Sequence, residues 1–230
     1  MDRGRSSTGQ RPDDESGVAA SGAVAQKKTL IATEQDPVAR AAWREAIAGT
    51  DPETLVFLDE TSTQTVLTRA RGRSPPGERL VGSVPRNHGD TITCLAAISA
   101  ASVIAPCVFE RSLDGALFAQ WLEEWLLPDL PAGTTIVLDN LSVHKNVAAR
   151  EAVEAAGCRL LFLPAYSPDF NPIELVFAQL KTHLRRAAAR TFDAVTEAIG
   201  TGFAAVTPGH LRASYRHCGY PGDEMPSQPL

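Results

Sequence analysis

Ala165-Tyr166-Ser167-Pro168-Asp169-Phe170-Asn171-Pro172-Ile173-Glu174, running into Leu175 to Arg190, decides how the rest of the chain is read. With Pro164 just before it, the stretch holds three prolines, each fixing φ and disfavouring helix at the residue before it. An irregular, extended approach is therefore expected. Asn171 then reads as an N-cap and Pro172 as the first helical residue, where a missing N–H costs nothing. Glu174 falls in the first turn, either closing a capping box with Asn171 or presented as a reactive carboxylate. Along the helix, Ile173, Phe177, Leu180 and Leu184 share one stripe that should face a core. Lys181 and Arg185 lie within ~20° of Glu174 on a neighbouring edge. Glu174 and Lys181 are two turns apart, too far for a direct ion pair. An acid for a metal ion, with bases trailing away towards phosphates, accounts for this edge better than a salt-bridge ladder.

Working outward, 43% hydrophobic and 21% charged residues are the proportions of a soluble globular protein. No apolar run approaches the ~20 residues that span a bilayer, and no N-terminal apolar stretch reads as a secretion signal. No membrane partner is expected, and the location expected is cytoplasmic. Cys94, Cys107, Cys158 and Cys218 are scattered without a Cys-x-x-Cys pair and read as reduced packing residues. The net charge of −5 argues weakly against indiscriminate nucleic-acid binding. Its distribution is uneven, because Arg69, Arg71, Arg73, Arg79 and Arg86 crowd a stretch whose one acid is Glu78.

In chain order, residues 1–28 read as a disordered tail and 29–52 as a linker carrying a short helix over 39–48. A catalytic domain is expected over 53–220, followed by a tail over 221–230. Thr54 to Leu58 reads as a strand buried on both faces and ending in Asp59-Glu60; Thr134 to Leu138 is a second, ending in Asp139-Asn140. Residues 63–89 look like a basic excursion, and 90–99 with 103–109 like a hairpin. Helices are expected over 114–127, with Trp121 and Trp125 in the core, over 143–156 and around 208–217. A further strand is expected over 159–163. This order gives an α/β fold with a mixed sheet flanked by helices.

Neighbouring parallel strands bring their carboxyl ends to one sheet edge, where α/β sheets bind ligands. Asp59, Asp139 and Glu174 would converge there. Three buried acids repel unless a cation neutralises them, and oxygen-only ligands suit Mg²⁺ or Mn²⁺. Two such ions can serve an in-line phosphoryl displacement. Among other acids, Glu60 should point away from Asp59, Asp169 reads as a turn residue, and Asp114 as the cap of the helix at Leu117.

The motifs Leu-Asp-Glu-Thr (58–61), Leu-Asp-Asn-x-x-x-His-Lys (138–145) and Pro-x-Tyr-Ser-Pro-Asp-x-Asn-Pro-Ile-Glu (164–174) resemble those of DDE transposases. The likeness is to the bacterial insertion-sequence branch of the mariner-type superfamily, insertion-sequence family 630. The 34 residues between Asp139 and Glu174 match that spacing. The resemblance implies an RNase H-like fold with a mixed five-stranded sheet and metal-dependent cutting and joining of DNA. Asp59, Asp139 and Glu174 would be the catalytic metal ligands, with two Mg²⁺ or Mn²⁺ ions. Asn140 would orient a ligand or the scissile phosphate, and His144 would contact DNA or cap the next helix. The arginines from Arg69 to Arg86 would reach DNA or a partner subunit, unless they form a solvated loop; Lys181 and Arg185 would meet phosphates. Expected partners are transposon-end and target DNA, a second copy of the chain on DNA, and a separately encoded helix-turn-helix polypeptide, since few residues precede Asp59. The other reading is a truncated, non-catalytic relic that binds DNA or intact transposase.

Overall fold

A computed structural model describes residues 32–69, 71–85, 89–141 and 144–220. The tails expected over 1–28 and 221–230, and Arg86, lie outside these residues. Five strands form one sheet: β1 (Leu55–Gln64), β2 (Thr91–Ile98), β3 (Val103–Phe109), β4 (Thr135–Leu138) and β5 (Arg159–Phe162). Their order is β3-β2-β1-β4-β5, with β1, β2 and β3 antiparallel and β1, β4 and β5 parallel. Side chains alternate across β1. Leu55 and Phe57 enter the core on one face, and Val56 and Leu58 enter the core on the other. That alternation assigns Asp59 to the first face and Glu60 to the second.

Helices α1 (Pro37–Ile47), α4 (Ile173–Ala187), α5 (Phe192–Ala204) and α6 (Pro208–His217) contribute to the first core. Trp43 of α1 packs there beside Phe177 of α4, Ile199 of α5 and Tyr215 of α6. The second face is covered by α2 (Gly115–Trp121) and α3 (Val147–Ala155), with Phe118, Trp121 and Val153 packed on Ile136 and Leu138. Each such fully buried large side chain contributes about 1.5–3 kcal/mol of transfer free energy. Capping follows the sequence: Asp36 accepts from the Val38 and Ala39 N–H groups, and Asp114 accepts from that of Leu117. The Tyr215 hydroxyl reaches the carbonyls of Leu55 (2.9 Å) and Ile98 (3.1 Å), tying α6 to two strands.

Several expectations are corrected. β1 does not end at Asp59-Glu60 but continues to Gln64, because β2 keeps pairing with it after β4 has stopped. The helix expected over 114–127 changes after Trp121 into a π-helical turn (Leu122–Leu126) and a 3₁₀ turn (Leu127–Asp129). An i→i+5 turn winds less per residue, so the residues after Trp121 lag behind their α-helical positions around the axis. Leu126 is buried instead, and Trp125 is 56% exposed rather than core. The helix expected from 143 starts at Val147, where the Asn146 side chain accepts from the Ala148 N–H. Helix α5 was not expected from the sequence. It lies so close to α4 that a Cβ on Gly202 would stand 2.6 Å from Leu180 Cδ1.

Candidate active site

The parallel register pairs Phe57 with Val137, so Asp59 and Asp139, each two residues further on, stand level with one another where β4 has ended and β1 runs on. Glu174 arrives there in the first turn of α4. All three line one cleft of about 420 Å³, together with Asn140, Tyr166 and Asn171. Asp59 is the buried member, at 8% exposure. Burial, reinforced by the negative charges of Glu174, Glu60 and Asp139, pushes its carboxyl up to about 8.

Each aspartate is held by donors from neighbouring elements. The Glu60 N–H donates to Asp59 Oδ1 (2.8 Å), and Asn171 Nδ2 donates to Asp59 Oδ2 (3.1 Å). Asp139 Oδ1 accepts from the Leu141 N–H (3.0 Å) and meets His144 Nδ1 at 2.7 Å. His144 Nε2 lies 3.1 Å from Glu60 Oε2, so one imidazole bridges Asp139 and the acid beside Asp59. Its ring is fully buried, 4.7 Å from that of Phe118. Burial pulls the imidazolium down, but the hydrogen bonds it donates to Asp139 and Glu60 prevail and raise it to about 9.

The loop before α4 is fastened from outside. Tyr166 adopts φ of +55° and is 58% exposed at the cleft, its carbonyl accepting from Gln35 Nε2 (2.9 Å). Asp169 pairs with Arg40 of α1, whose guanidinium lies 4.0 Å above the Phe170 ring; the hydrogen bond from Arg40 holds the Asp169 carboxyl below its ordinary range. The Tyr220 hydroxyl donates to the Phe170 carbonyl (2.7 Å).

The sequence-derived residues fall into three groups. Asp59, Asp139, Glu174 and Asn140 share the cleft, although the Asn140 amide is engaged by the Leu163 carbonyl. His144 neither faces solvent nor caps α3; it lies beneath the cleft because Asp139 and Glu60 draw both ring nitrogens inward. Lys181 is half-buried and Arg185 exposed on α4, while Arg69, Arg71, Arg73 and Arg79 are exposed outside any helix or strand. Glu60 does point away from Asp59, yet it joins the site through His144. Asn171 is not a side-chain cap, since its amide turns to Asp59 and α4 begins at Ile173 without one. Asn-Pro reads equally well as a cap and as a loop residue, so no local signal separates the two.

The donors facing the cleft are carboxylate oxygens, the chemistry a hard divalent cation requires, and Asp59 is a buried acid in need of a counter-charge. Among the described residues no three His, Cys, Asp or Glu side chains are grouped tightly enough to enclose an ion unaided. Asn171 Oδ1, buried and without a hydrogen-bond partner, sits in this setting. Asn171→Ala is expected to lower divalent-cation affinity or cation-dependent activity about 10–100-fold by releasing Asp59. Thermal melting with and without Mn²⁺ checks this, and an undiminished cation-induced rise in Tm would remove Asn171 from the site.

A family model described as DDE superfamily endonuclease matches residues 54–196, more than half of the chain. No curated protein matches the sequence. Among solved structures, the Mos1 transposase paired-end complex with left transposon end has a TM-score of 0.68 at 18% identity, covering 86% of this chain and 64% of that one. The Mos1 mariner paired-end complex with Mn gives 0.65 at 17% identity, covering 86% and 63%. The catalytic domain of Mos1 mariner transposase gives 0.57 at 15% identity, covering 79% and 83%. The chain thus spans less than two thirds of the transposase chains in the two complexes.

Proposed function

The chain belongs to the DDE superfamily endonucleases, and on that premise we propose that it cuts DNA phosphodiesters and joins the freed 3′-hydroxyl to a new phosphate. It would act as a transposase catalytic domain of the insertion-sequence family 630 type. One observation carries this reading: Asp59, midway along β1, stands level with Asp139 just past the carboxyl end of β4, and Glu174 of α4 lines the same cleft. Asp59, Asp139 and Glu174 would hold Mg²⁺ or Mn²⁺, proposed as two ions. When bound, the metal supplies Lewis acidity for a phosphoryl oxygen and lowers the pKa of an attacking water or 3′-hydroxyl.

The chain's own residues orient and bind. Asn171 and the Glu60 N–H fix the two oxygens of Asp59, and His144, braced by Glu60, fixes Asp139. Asn140 steadies the cleft wall through the Leu163 carbonyl. Lys181 and Arg185 follow Glu174 along one edge of α4 and would take phosphates beyond the scissile one. The exposed Arg69, Arg71, Arg73 and Arg79 would meet DNA or a second copy of the chain bound to the other transposon end. End recognition by a helix-turn-helix polypeptide would supply sequence specificity.

The competing reading, a non-catalytic relic that binds DNA or transposase, draws on the acids not enclosing an ion by themselves. Incubation of supercoiled plasmid with the protein in Mg²⁺, Mn²⁺ or EDTA separates the two. Nicking with either cation and none in EDTA is expected. Retention of plasmid without nicking under all three conditions would favour the relic.

A further inference from the structure

Away from the cleft, α4 and α6 line an open, shallow groove of about 680 Å³. Its polar lining comes from Gln179, Thr182, His183 and Arg186 of α4 and from His210 and His217 of α6, and no aspartate or glutamate lines it. Leu175 and Ala178 form part of its wall. Leu175 follows Glu174 directly, and Ala178 stands one turn beyond Glu174 on the edge that carries Lys181 and Arg185. The groove therefore begins level with Glu174 along α4, about a third of a turn round the helix from it, and runs away from the cleft. After Glu174 in its first turn, α4 carries Lys181, His183, Arg185 and Arg186 and no further acid. Cations in the last turn of a helix complement its dipole. That accounts for Arg185 and Arg186 and, in the last turn of α6, for His217, while His210 accepts the Thr207 N–H through Nδ1 in the capping box of α6, which leaves Nε2 as its donor.

We propose that the α4–α6 groove binds a stretch of DNA sugar–phosphate backbone leading away from the carboxylate cleft. Arginine, histidine and glutamine side chains donate to phosphate oxygens, while the Thr182 hydroxyl is spent on the Ala178 carbonyl; such phosphate contacts fix register on DNA without reading sequence. An acid-free lining suits a polyanion. The inference rests on the reading of the chain as a DNA-processing enzyme and adds a second binding surface to it.

The test is fluorescence anisotropy of a labelled duplex oligonucleotide of mixed sequence titrated with the whole chain in EDTA, over a range of salt concentrations. Arg186→Glu and His217→Glu place an acid in the groove. Arg150→Glu makes the same charge change as Arg186→Glu at an exposed position of α3. Circular-dichroism melts establish that each variant folds, and Arg186→Gln stands in should Arg186→Glu fail to. Both groove variants are expected to weaken binding about tenfold at low salt, with Arg150→Glu within about twofold of wild type. Arg186→Glu is also expected to flatten the plot of log Kd against log salt by about one. Wild-type affinity in both groove variants would remove the groove from the DNA path and leave the proposed function standing. An equal loss in Arg150→Glu would reduce the effect to net charge and overturn the site. No binding by the wild type at low salt would overturn both the groove and the DNA reading.

Discussion

Replacing Asp59 with asparagine is expected to make the metal-free protein more stable while abolishing its response to Mg²⁺ or Mn²⁺. Asp59 is buried on the α4 face of the sheet, and the charges of Glu174, Glu60 and Asp139 add to the cost of ionising it. A carboxyl at about 8 when folded and 3.8 when unfolded makes the native state the better proton binder between those values. Stability contributed by that proton is present at low pH and is lost as pH rises to 8. Asparagine keeps the shape and the contact with Asn171 but removes the charge. At pH 8 the gain should reach at least about 1 kcal/mol, or roughly 2–4 °C in Tm for a chain of this size. The difference should shrink as pH falls and close at about 3.8, the unfolded value. Adding Mn²⁺ at pH 8 should raise the Tm of the wild type and leave the variant unmoved, since a ligand stabilises only the state that binds it. A variant that melts lower than wild type at pH 8, or one that still responds to Mn²⁺, would contradict this account of Asp59.

His144→Ala should cost more than any other single change beneath the cleft. It removes a fully buried ring that bridges Asp139 and Glu60, leaving a void against Phe118 and two facing carboxylates. Breaking a buried pair in this way costs about 3–5 kcal/mol. At roughly 2–4 °C per kcal/mol, Tm should fall by roughly 6–20 °C. His144→Gln, which can still donate to Asp139, should recover part of the loss. The folded imidazolium titrates at about 9, above its ordinary 6.5. Its contribution is therefore complete below 6.5 and disappears as pH rises through 9. The Tm difference between wild type and His144→Ala should shrink over that window. A constant difference from pH 6 to pH 10 would show that His144 acts through packing alone.

The strands and their acids were legible because buried parallel strands are continuous apolar runs. Leu55 to Leu58 and Thr135 to Leu138 each stop at an aspartate, and the sheet brings those stops level. The core stripe of α4 and the cap Asp114 follow from local rules, and the structure agrees with them. What was not legible depends on the third dimension. Trp125 sits four residues after Trp121, a helical spacing, but the intervening π turn carries it to the surface. Gly200 and Gly202 weaken the helical signal of α5, while close packing on α4 makes use of the second. The role of Asn171 depends on Asp59, 112 residues away in sequence. Glu60 was correctly assigned to the opposite face from Asp59; its tie to Asp139 through His144 follows from where the 139–146 loop tucks its histidine. The acids were readable from spacing, and their supports were not.

Nicking of supercoiled plasmid by Asp139→Asn, beside the wild type in Mn²⁺, tests the central claim most directly. Asparagine preserves the shape at the end of β4 and removes the charge that would hold the cation. Cation-dependent nicking by the wild type, lost at least about a hundredfold in a variant with an unchanged fold, is the expected result. Nicking that survives Asp139→Asn would place the chemistry elsewhere in the molecule and contradict the account.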